Sequence, residues 1–416
     1  MTRRLVLLIA NNFPPVRGGS GMVYASIARA CNGRVMVLAP RIGYSDGLPL
    51  IGWREHDRRA PYPIVRIPLL RTVMVSPRNG MRKLALIASD LLIRLRLCVI
   101  VARLLLRERP KAVCIGELLA SSWLVQLLSF VPGLRTIVYV HGEEITTEDP
   151  YDRTASRRRR ALRAADGIVV VSEFTRRVVA NFLGGVDHEK VALIENGVDT
   201  QHFCVAPKSD WLIESYGLRD RFVFISVCRL LPKKGIDHAL HAFARLAEIY
   251  PDCRYLIVGS GSYGKELHNL AINLGISDLV RFAGEVPDSE LVDHYRLGDV
   301  FIMPNRELPN RDTEGFGLVF LEANSCGLPV IAGQDGGSKD AVTHGRNGLV
   351  VDGHSIVEIF HAMVLMREDK ALRDSLRQGG LAAAARADWK WKAEAFLAFC
   401  TKPTELSGRR LVALEG

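Results

Sequence analysis

Two glutamates, Glu314 and Glu322, stand at the ends of the stretch Glu-Gly-Phe-Gly-Leu-Val-Phe-Leu-Glu, which contains a glycine-rich turn. Apolar runs at residues 300–304 and 329–332 flank it and are typical of buried strands. This order places Glu314 on a strand-to-helix loop and predicts that Glu322 lies about two turns into the helix. Two turns span about 10 Å, which suits a phosphate at the helix N-terminus and a ribose beside the helix. The stretch therefore predicts a site for a nucleoside diphosphate.

Two cations precede this stretch on another strand-to-helix loop. Arg229 follows the apolar strand at residues 222–227, and Lys234 comes five residues later. Both side chains suit a diphosphate through charge-assisted hydrogen bonds, together with the amides of residues 315–318. We expect the neighbouring Lys233 to be exposed to solvent.

The two carboxylates are expected to have different ligands. Glu322 can accept hydrogen bonds from both hydroxyls of a ribose, because an ionised carboxylate is an acceptor only. Glu314 lies closer to the anionic phosphates, so repulsion should turn it toward neutral sugar hydroxyls; alternatively, it only complements the helix dipole. No Asp-x-Asp occurs in the chain, which argues against a carboxylate-chelated divalent metal.

Strand and helix patterns alternate regularly along the whole chain, which is typical of doubly wound parallel sheets. The predicted strands are residues 5–10, 35–39, 64–67, 112–115, 136–140, 167–171, 191–194, 222–227, 255–258, 280–282, 300–304, 329–332 and 348–351. The predicted fold class is therefore α/β, with two Rossmann-like domains at residues 1–200 and 201–388. A helix at residues 389–400 and a loosely ordered tail to residue 416 should follow, with the helix crossing back to the first domain.

Two features of the first half could belong to the same site. Gly18 and Gly19 lie between a strand and a predicted helix at residues 22–30, which suits either a phosphate cradle or a plain turn. His141 follows the strand at residues 136–140, at the sheet edge where open α/β folds bind ligands. A single histidine is more often structural, so this feature is only suggestive.

Charge divides the chain into a basic part and a mildly acidic part. Residues 1–165 carry 27 Lys and Arg against 11 Asp and Glu, although the whole chain has a net charge of only +10. This favours an anionic partner, either a membrane surface or nucleic acid. The arginine run at residues 157–160 adds to the basic part. No aromatic residues are interleaved with these arginines for base stacking, which disfavours nucleic acid.

The segment at residues 84–106 is the most apolar long helix pattern. Arg94 and Arg96 lie near its middle and would each cost about 2.5–3.5 kcal/mol inside a bilayer, so it does not span a membrane. We interpret it as a helix packed in the first domain; the alternative is a helix whose apolar face enters a bilayer surface. The apolar run at residues 5–10 is too short for a signal peptide. Eight scattered cysteines without a CxxC pair predict reduced thiols in a cytosolic protein.

One motif is misleading. Gly259-x-Gly261-x-x-Gly264 follows a strand and matches the dinucleotide-binding fingerprint, which requires an acid at the end of the next strand. Asp278 precedes that strand instead, so a nicotinamide or flavin dehydrogenase is disfavoured.

The motifs together resemble the family 4 retaining glycosyltransferases, which have the GT-B fold of two Rossmann-like domains facing each other across a cleft. The resemblance covers most of the chain and is carried by motifs in the family's order: Phe-Pro-Pro-x-x-Gly-Gly, His141-Gly, Val-Ser172-Glu, Asn196-Gly-Val-Asp, Arg229-Leu-x-x-x-Lys-Gly, Val-Gly-x-Gly261 and Glu314-x7-Glu322. It implies a hexosyltransferase that retains anomeric configuration, needs no metal or other cofactor, and binds its acceptor in the first domain.

The resemblance also implies roles for individual residues. His141, Glu314, Arg229 and Lys234 correspond to the family's catalytic residues: His141 and Glu314 contact the transferred sugar, and the two cations bind the diphosphate. The other residues implied in donor binding are Gly18, Gly19, Glu285, Val286, Gly315, Phe316, Gly317, Leu318 and Glu322. Among these, Glu322 would bind the ribose, and Glu285 and Val286 would lie near the base. The leaving phosphate would help to deprotonate the acceptor hydroxyl.

The stretch Asn-Arg-Glu-Leu-Pro at residues 305–309 and the Phe-Pro-Pro motif look most like bacterial mannosyltransferases with lipid-linked acceptors. This favours transfer of mannose from GDP-mannose to a lipid-linked or glycolipid acceptor, in polysaccharide, lipopolysaccharide or glycolipid assembly. The basic first domain suits an anionic membrane at its cytoplasmic face. The alternatives are a UDP-sugar-dependent transferase with a soluble acceptor, a sugar-nucleotide epimerase of the same fold and, more remotely, a non-catalytic membrane- or nucleic-acid-binding protein.

Overall fold

The protein contains two parallel β-sheets, one after the other along the chain. The computed structural model describes residues 4–16, 18–73, 80–146, 152 and 154–403 of the 416. The first sheet consists of β1 (Val6–Ile9), β2 (Val35–Pro40), β3 (Ile64–Ile67), β4 (Ala112–Ile115), β5 (Arg135–Val140), β6 (Gly167–Val170) and β7 (Val191–Leu193). The second consists of β8 (Phe222–Val227), β9 (Cys253–Val258), β10 (Val280–Gly284), β11 (Val300–Met303), β12 (Val330–Gly333) and β13 (Gly348–Val351).

Helices connect the strands and cover both sheets. Those of the first half are α1 (Gly19–Ala30), α2 (Trp53–Arg59), α3 (Gly80–Glu108), α4 (Leu118–Leu128), α5 (Glu143–Thr146), α6 (Ser156–Ala164) and α7 (Glu173–Leu183). Those of the second half are α8 (Asp210–Tyr216), α9 (Ile236–Ile249), α10 (Gly264–Asn273), α11 (Asp288–Leu297), α12 (Leu318–Ser325), α13 (Ser338–Ala341), α14 (Ile356–Glu368), α15 (Lys370–Arg386) and α16 (Trp389–Thr401).

The strand orders of the two sheets follow the same pattern, with one more strand at the end of the first sheet. The first runs β3-β2-β1-β4-β5-β6-β7 and the second runs β10-β9-β8-β11-β12-β13. In each sheet, the strands that follow the first strand in sequence (β1 or β8) are added on one side of it and then, from β4 or β11, on the other side. In such sheets, ligands bind outside the carboxyl ends of the strands where the order reverses. These positions lie between β1 and β4 in the first sheet and between β8 and β11 in the second.

The strand predictions are confirmed. All thirteen predicted strands are present, and their ends agree with the structure within two residues. Alternate residues of β1 pack into different apolar clusters on the two faces of the sheet, with Leu8 on one side and Leu7 on the other. Burial on both faces explains why these strands are continuous apolar runs. Helix α1 begins at Gly19, three residues earlier than predicted.

The C-terminal helix α16 packs on the first sheet's side of the molecule. It contacts α1, β4 and β5, and Arg135 Nη1 donates hydrogen bonds to the carbonyls of Phe399 and Lys402 at 2.9 Å each. Phe396 of this helix lies 6.1 Å from Tyr139, measured between ring centroids. The predicted loose tail lies largely outside the described residues.

Helix α3 contains the apolar segment of the first half and has two different sides. Leu97 and Val101 are buried in the core against the sheet. Leu84, Ile87, Leu91 and Leu95 project from the other side and are 58–68 % exposed. No helix in the described ranges combines the length and apolarity that a membrane crossing requires.

The eight cysteines are free thiols, as predicted. Arg158, within the run at residues 157–160, is buried, and its Nη1 donates to the carbonyl of Glu144 at 2.8 Å. Its Nε donates to Asp152 at 3.2 Å. The run is therefore not a uniform basic surface, because one of its members is a structural residue.

Candidate active site

Glu314 and Lys234 form an ion pair where the strand order of the second sheet reverses. Lys234 lies on the loop after β8, Glu314 lies on the loop after β11, and Lys234 Nζ contacts Glu314 Oε2. The side chains are only 12 % and 15 % exposed. Both residues were predicted for one site, and the fold brings them into direct contact.

The environment of Glu314 favours its ionised form. Burial by itself would raise the pKa of this carboxyl, but Lys234, Lys233 and the amide of Phe316 outweigh burial and lower the pKa below its ordinary value. The Phe316 amide was predicted to bind a diphosphate. In the structure it is directed at the Glu314 carboxylate instead. Gly317 has φ +89° immediately before α12, a conformation that L side chains rarely adopt.

Lys233 contradicts the expectation of a solvent-exposed side chain. It is 5 % exposed, and its Nζ lies 2.7 Å from Asp312 Oδ1, 3.0 Å from Glu143 Oε1 and 3.3 Å from the carbonyl of Thr313. Burial would lower the pKa of Lys233, but the carboxylates of Glu143, Asp312 and Glu314 together raise it. Lys233 therefore anchors the segment that leads into Glu314.

Arg229 follows β8 and remains accessible. Its side chain is exposed, and it makes no hydrogen bond or ion pair within the part of the chain that the structure describes. Its charge helps to lower the pKa of Glu143, which shows that it faces the same region. Arg229 and Lys234 thus supply two cations at the carboxyl end of β8.

Glu322 lies behind this loop, on α12. Because α12 begins at Leu318, Glu322 is one turn into the helix, and the prediction of two turns was wrong. Tyr295 donates its hydroxyl hydrogen bond to Glu322 Oε2 at 2.6 Å. Burial raises the pKa of Glu322 to about 7, although this hydrogen bond opposes the rise. The carboxyl can therefore change its protonation state near neutral pH.

His141 follows β5 and is held by Tyr24. Tyr24 donates its hydroxyl proton to the carbonyl of Gly116, and His141 Nε2 lies 2.8 Å from the same hydroxyl oxygen. Nε2 must then carry a hydrogen and donate, which leaves Nδ1 as an acceptor. Burial lowers the pKa of His141 to about 4, so the ring is neutral at pH 7.

Glu144 fixes the backbone around His141. Its Oε2 accepts hydrogen bonds from the amides of His141 at 3.1 Å and Gly142 at 3.0 Å. The carboxyl is buried, and burial raises its pKa to about 7 despite these hydrogen bonds. The carboxyl thus satisfies two amides that precede α5 and fixes the turn that presents His141.

The two halves of the site touch across the cleft. A Cβ added to Gly315 would come within 2.3 Å of the carbonyl oxygen of His141, so only glycine permits this approach. Lys233 joins α5 of the first half through Glu143. Asp340 of α13 accepts a hydrogen bond from the Glu173 amide at the start of α7, at 3.2 Å. His141 and Glu314 are thereby brought to the same place, as predicted.

The other predicted donor residues lie on the surrounding loops. A Cβ at Gly18 or Gly19 would meet no atom within 4 Å, so the described residues leave open space beside this loop. Glu285 is exposed and accepts a hydrogen bond from Ser260 Oγ at 3.2 Å, while Val286 is half-buried. Leu318 is the first residue of α12.

Several residues that position the functional side chains were not predicted from the sequence. Tyr24 and Tyr295 each orient one functional side chain, yet in the sequence both look like ordinary core aromatics. Arg306, in the stretch taken as a mannosyltransferase signal, is buried and pairs with Asp237 through two hydrogen bonds of 2.7 and 2.8 Å. No sequence pattern pointed to the contacts of Glu144 with the amides of His141 and Gly142. The motif singled out Lys234, but nothing in the sequence indicated that Lys233 is buried.

Comparison with known families gives two adjoining matches. Residues 17–202 match the family "Glycosyltransferase Family 4". Residues 212–382 match "Glycosyl transferases group 1". The matches meet in the segment between the last strand of the first sheet and the first strand of the second.

Relatives of known activity align over nearly the full chain. A "GDP-mannose-dependent alpha-(1-6)-phosphatidylinositol monomannoside mannosyltransferase" of Mycolicibacterium smegmatis is 32% identical over 93% of this chain and 95% of its own length. A "GDP-mannose-dependent monoacylated alpha-(1-6)-phosphatidylinositol monomannoside mannosyltransferase" of Corynebacterium glutamicum is 27% identical over 94% of this chain and 95% of its own length.

Solved structures share the fold at low sequence identity. The Anabaena protein Alr3699/HepE in complex with UDP and glucose has a TM-score of 0.73 at 20% identity, covering 96% of this chain and 100% of that one. WaaG, a glycosyltransferase involved in lipopolysaccharide biosynthesis, has a TM-score of 0.64 at 16% identity, covering 96% and 100%. By sequence and by fold, the chain belongs to the family 4 glycosyltransferases of the GT-B type.

Proposed function

We propose that the protein transfers mannose from GDP-mannose to a mannosylated phosphatidylinositol at a membrane surface. The observation that carries the proposal is the contact of Lys234 with Glu314 beside His141, in a chain 32% identical to a relative named for this reaction. The donor would lie between the sheets, with its diphosphate on the second.

The diphosphate is assigned to Arg229 and Lys234. Arg229 has no ion-pair partner within the described ranges, so it can meet a phosphate without losing another contact. Lys234 pairs with Glu314 in the structure, and its ammonium group would turn partly toward the diphosphate when the donor binds. This movement would free the Glu314 carboxylate for the hydroxyls of the transferred mannose.

The ribose is assigned to Glu322 and the reacting sugar to His141. The Glu322 carboxyl already accepts one hydroxyl, that of Tyr295, so it has the chemistry to accept those of a ribose. Neutral His141 offers Nδ1 and its backbone carbonyl as acceptors without adding a positive charge. Gly18 and Gly19 would approach the donor from the first domain. No atom of the described residues lies within 4 Å of the position that a Cβ would take at either glycine, so there is room for a ligand beside them.

We propose further that transfer retains the anomeric configuration and uses no metal or other cofactor. Arg229 and Lys234 place two cations at the carboxyl end of β8, beside the proposed diphosphate position, which supports stabilisation of the departing GDP by side chains. The leaving phosphate would accept the acceptor proton. Anomeric analysis of the product by NMR tests retention, and inversion would exclude it.

The donor assignment is tested with a panel of GDP-mannose, UDP-glucose, UDP-galactose and UDP-GlcNAc. We expect only GDP-mannose to support transfer to phosphatidylinositol monomannoside, measured by mass spectrometry of the lipid product. The rate should be the same with and without EDTA. Transfer from a UDP-sugar alone, or to a soluble acceptor alone, would favour the alternative reading of the sequence.

The acceptor is a membrane lipid in this proposal, and α3 provides a surface for approaching it at the cytoplasmic face. Its exposed leucines and Ile87 form an apolar stripe on the side away from the core. Arg96, Arg103 and Arg107 are also exposed along the helix. An apolar stripe next to arginines is typical of helices that lie in the interface of an anionic membrane.

Charging the stripe should weaken membrane binding. We expect the double variant Leu91→Asp/Leu95→Asp to bind vesicles of phosphatidylcholine and phosphatidylinositol about tenfold more weakly than the wild type in cosedimentation, because it removes exposed apolar area that the membrane would bury. Ile272→Asp on α10 is the matched control, since Ile272 is 63 % exposed on the second domain. Unchanged binding of the double variant would show that α3 does not meet the membrane.

A further inference from the structure

Polar side chains also gather where the strand order of the first sheet reverses. Asn11, Arg71 and Glu117 lie on the loops that follow β1, β3 and β4, and Tyr44 lies on the loop that follows β2. Loops after four neighbouring strands thus converge at one edge of the sheet. This is the position at which parallel sheets bind ligands, and the donor assignments above leave these four side chains unused.

Asn11 is buried without hydrogen bonds to its side chain. It is 3 % exposed, and neither Oδ1 nor Nδ2 has a hydrogen-bond partner. Burial raises the pKa of the Glu117 carboxyl, and the charge of Arg71 and the nearby Asn11 amide only partly oppose the rise; the amide faces the carboxyl without the geometry of a hydrogen bond. An amide that could make several hydrogen bonds and makes none is costly unless a ligand or water satisfies it.

The hydrogen bonding of the Glu117 carboxyl is also incomplete. Its Oε2 is buried and has no partner. The nearest cation is Arg71, whose Nη1 lies 3.9 Å from Glu117 Oε1, longer than a hydrogen bond. Arg71 stacks on the ring of Tyr44 with its guanidinium carbon 5.0 Å from the centroid. The Glu117 and Arg71 side chains remain 14 % and 22 % exposed, so the cluster opens to solvent on this side.

This cluster adjoins the proposed reaction centre. Gly116, next to Glu117, accepts the hydrogen bond from Tyr24, and Tyr24 in turn holds His141. The charge of Glu117 also raises the pKa of Tyr24, which places the carboxylate near that hydroxyl. A molecule bound at Asn11 and Glu117 would therefore lie on the first-domain side of the position assigned to the transferred sugar.

We propose that Asn11 and Glu117 form an acceptor subsite that binds neighbouring hydroxyls of a six-membered polyol ring, either a sugar or a cyclitol. The carboxylate of Glu117 accepts hydrogen bonds from ring hydroxyls, and the amide of Asn11 both donates and accepts. The charge of Arg71, at the rim of the cluster, favours the ionised form of this carboxyl. This inference rests on the proposed function, because it assumes that the bound ring belongs to the acceptor.

The test measures polyol binding and transfer separately. Methyl α-mannoside and myo-inositol are titrated into GDP-saturated protein and followed by NMR, which distinguishes the sugar from the cyclitol. We expect Glu117→Gln and Asn11→Ala each to weaken binding of the recognised polyol about 10- to 100-fold. The KM for phosphatidylinositol monomannoside should rise similarly, whereas the Kd of GDP should stay within about twofold of that of the wild type.

Glu55→Gln is the matched control, since Glu55 is in the same domain but pairs with Arg58 and Arg59 on the exposed helix α2. Asn11→Ala decides the question if Glu117→Gln does not fold. Wild-type KM and wild-type polyol binding in the folded variants would overturn the subsite, as would a wild type that binds neither polyol. A wild type that binds a polyol through Glu117 but transfers no mannose would overturn the proposed function and leave the subsite standing.

Discussion

Replacing Glu314 with glutamine is expected to lower the rate of mannose transfer by about 100- to 1,000-fold while the protein stays folded. Glu314 is the carboxylate that pairs with Lys234, and its lowered pKa shows that the site keeps it ionised. Glutamine has nearly the same shape but no charge. It cannot accept hydrogen bonds from two sugar hydroxyls as a carboxylate does, because one of its terminal groups is a donor.

The same variant separates sugar recognition from diphosphate binding. Loss of the Glu314 charge releases Lys234, so GDP should bind at least as tightly as in the wild type when measured by calorimetry. Glu248→Gln, on the exposed side of α9, is the matched control and should transfer mannose at the wild-type rate. Full transfer by the Glu314 variant would refute the role assigned to this residue.

Replacing Lys233 with methionine is expected to destabilise the protein by about 3 kcal/mol. Methionine keeps much of the buried stem but removes the ammonium group that three acceptors share. Asp312 would then lose its nearest cation in a half-buried position, whereas Glu143 is exposed enough to be solvated. The free energy of unfolding, from urea denaturation followed by fluorescence, measures this effect.

A double-mutant cycle isolates the part of this energy that joins the two halves. Glu143→Gln removes the partner in α5 and leaves Asp312 in place, so the coupling between the two substitutions reports the contact across the cleft. Lys265→Ala on the exposed surface of α10 serves as the control. A loss below about 0.5 kcal/mol in Lys233→Met would show that this lysine behaves like a surface residue.

The pairing of Lys234 with Glu314 determines how charge is balanced in the site. Without a ligand, the two buried charges neutralise each other. In the proposed function, a donor would bring two charged phosphates for Arg229 and Lys234, and sugar hydroxyls for the carboxylate. The two cations would then face the charge that develops as GDP departs.

The sequence alone was sufficient for the fold because most of the strands are buried on both faces. Such strands must be continuous apolar runs, and the helices between them must alternate with them, so the pattern shows all thirteen strands. Parallel connections then place the residue after each strand at one edge of the sheet. For this reason Arg229, His141 and Glu314 could be assigned to a ligand-binding edge without coordinates.

Only the tertiary structure decided which of two adjacent lysines is buried in the ion-pair network of Glu143 and Asp312. Lys233 and Lys234 have the same chemistry and are adjacent in sequence; their partners, Glu143 on α5 and Asp312 and Glu314 on the loop after β11, lie about 80 to 90 residues away. The same holds for Arg158, buried in a run that looks like surface, and for Asn11 and Glu117, which meet only because β1 and β4 are neighbours. Local patterns determine which elements form, whereas burial and pairing depend on contacts between residues distant in the chain.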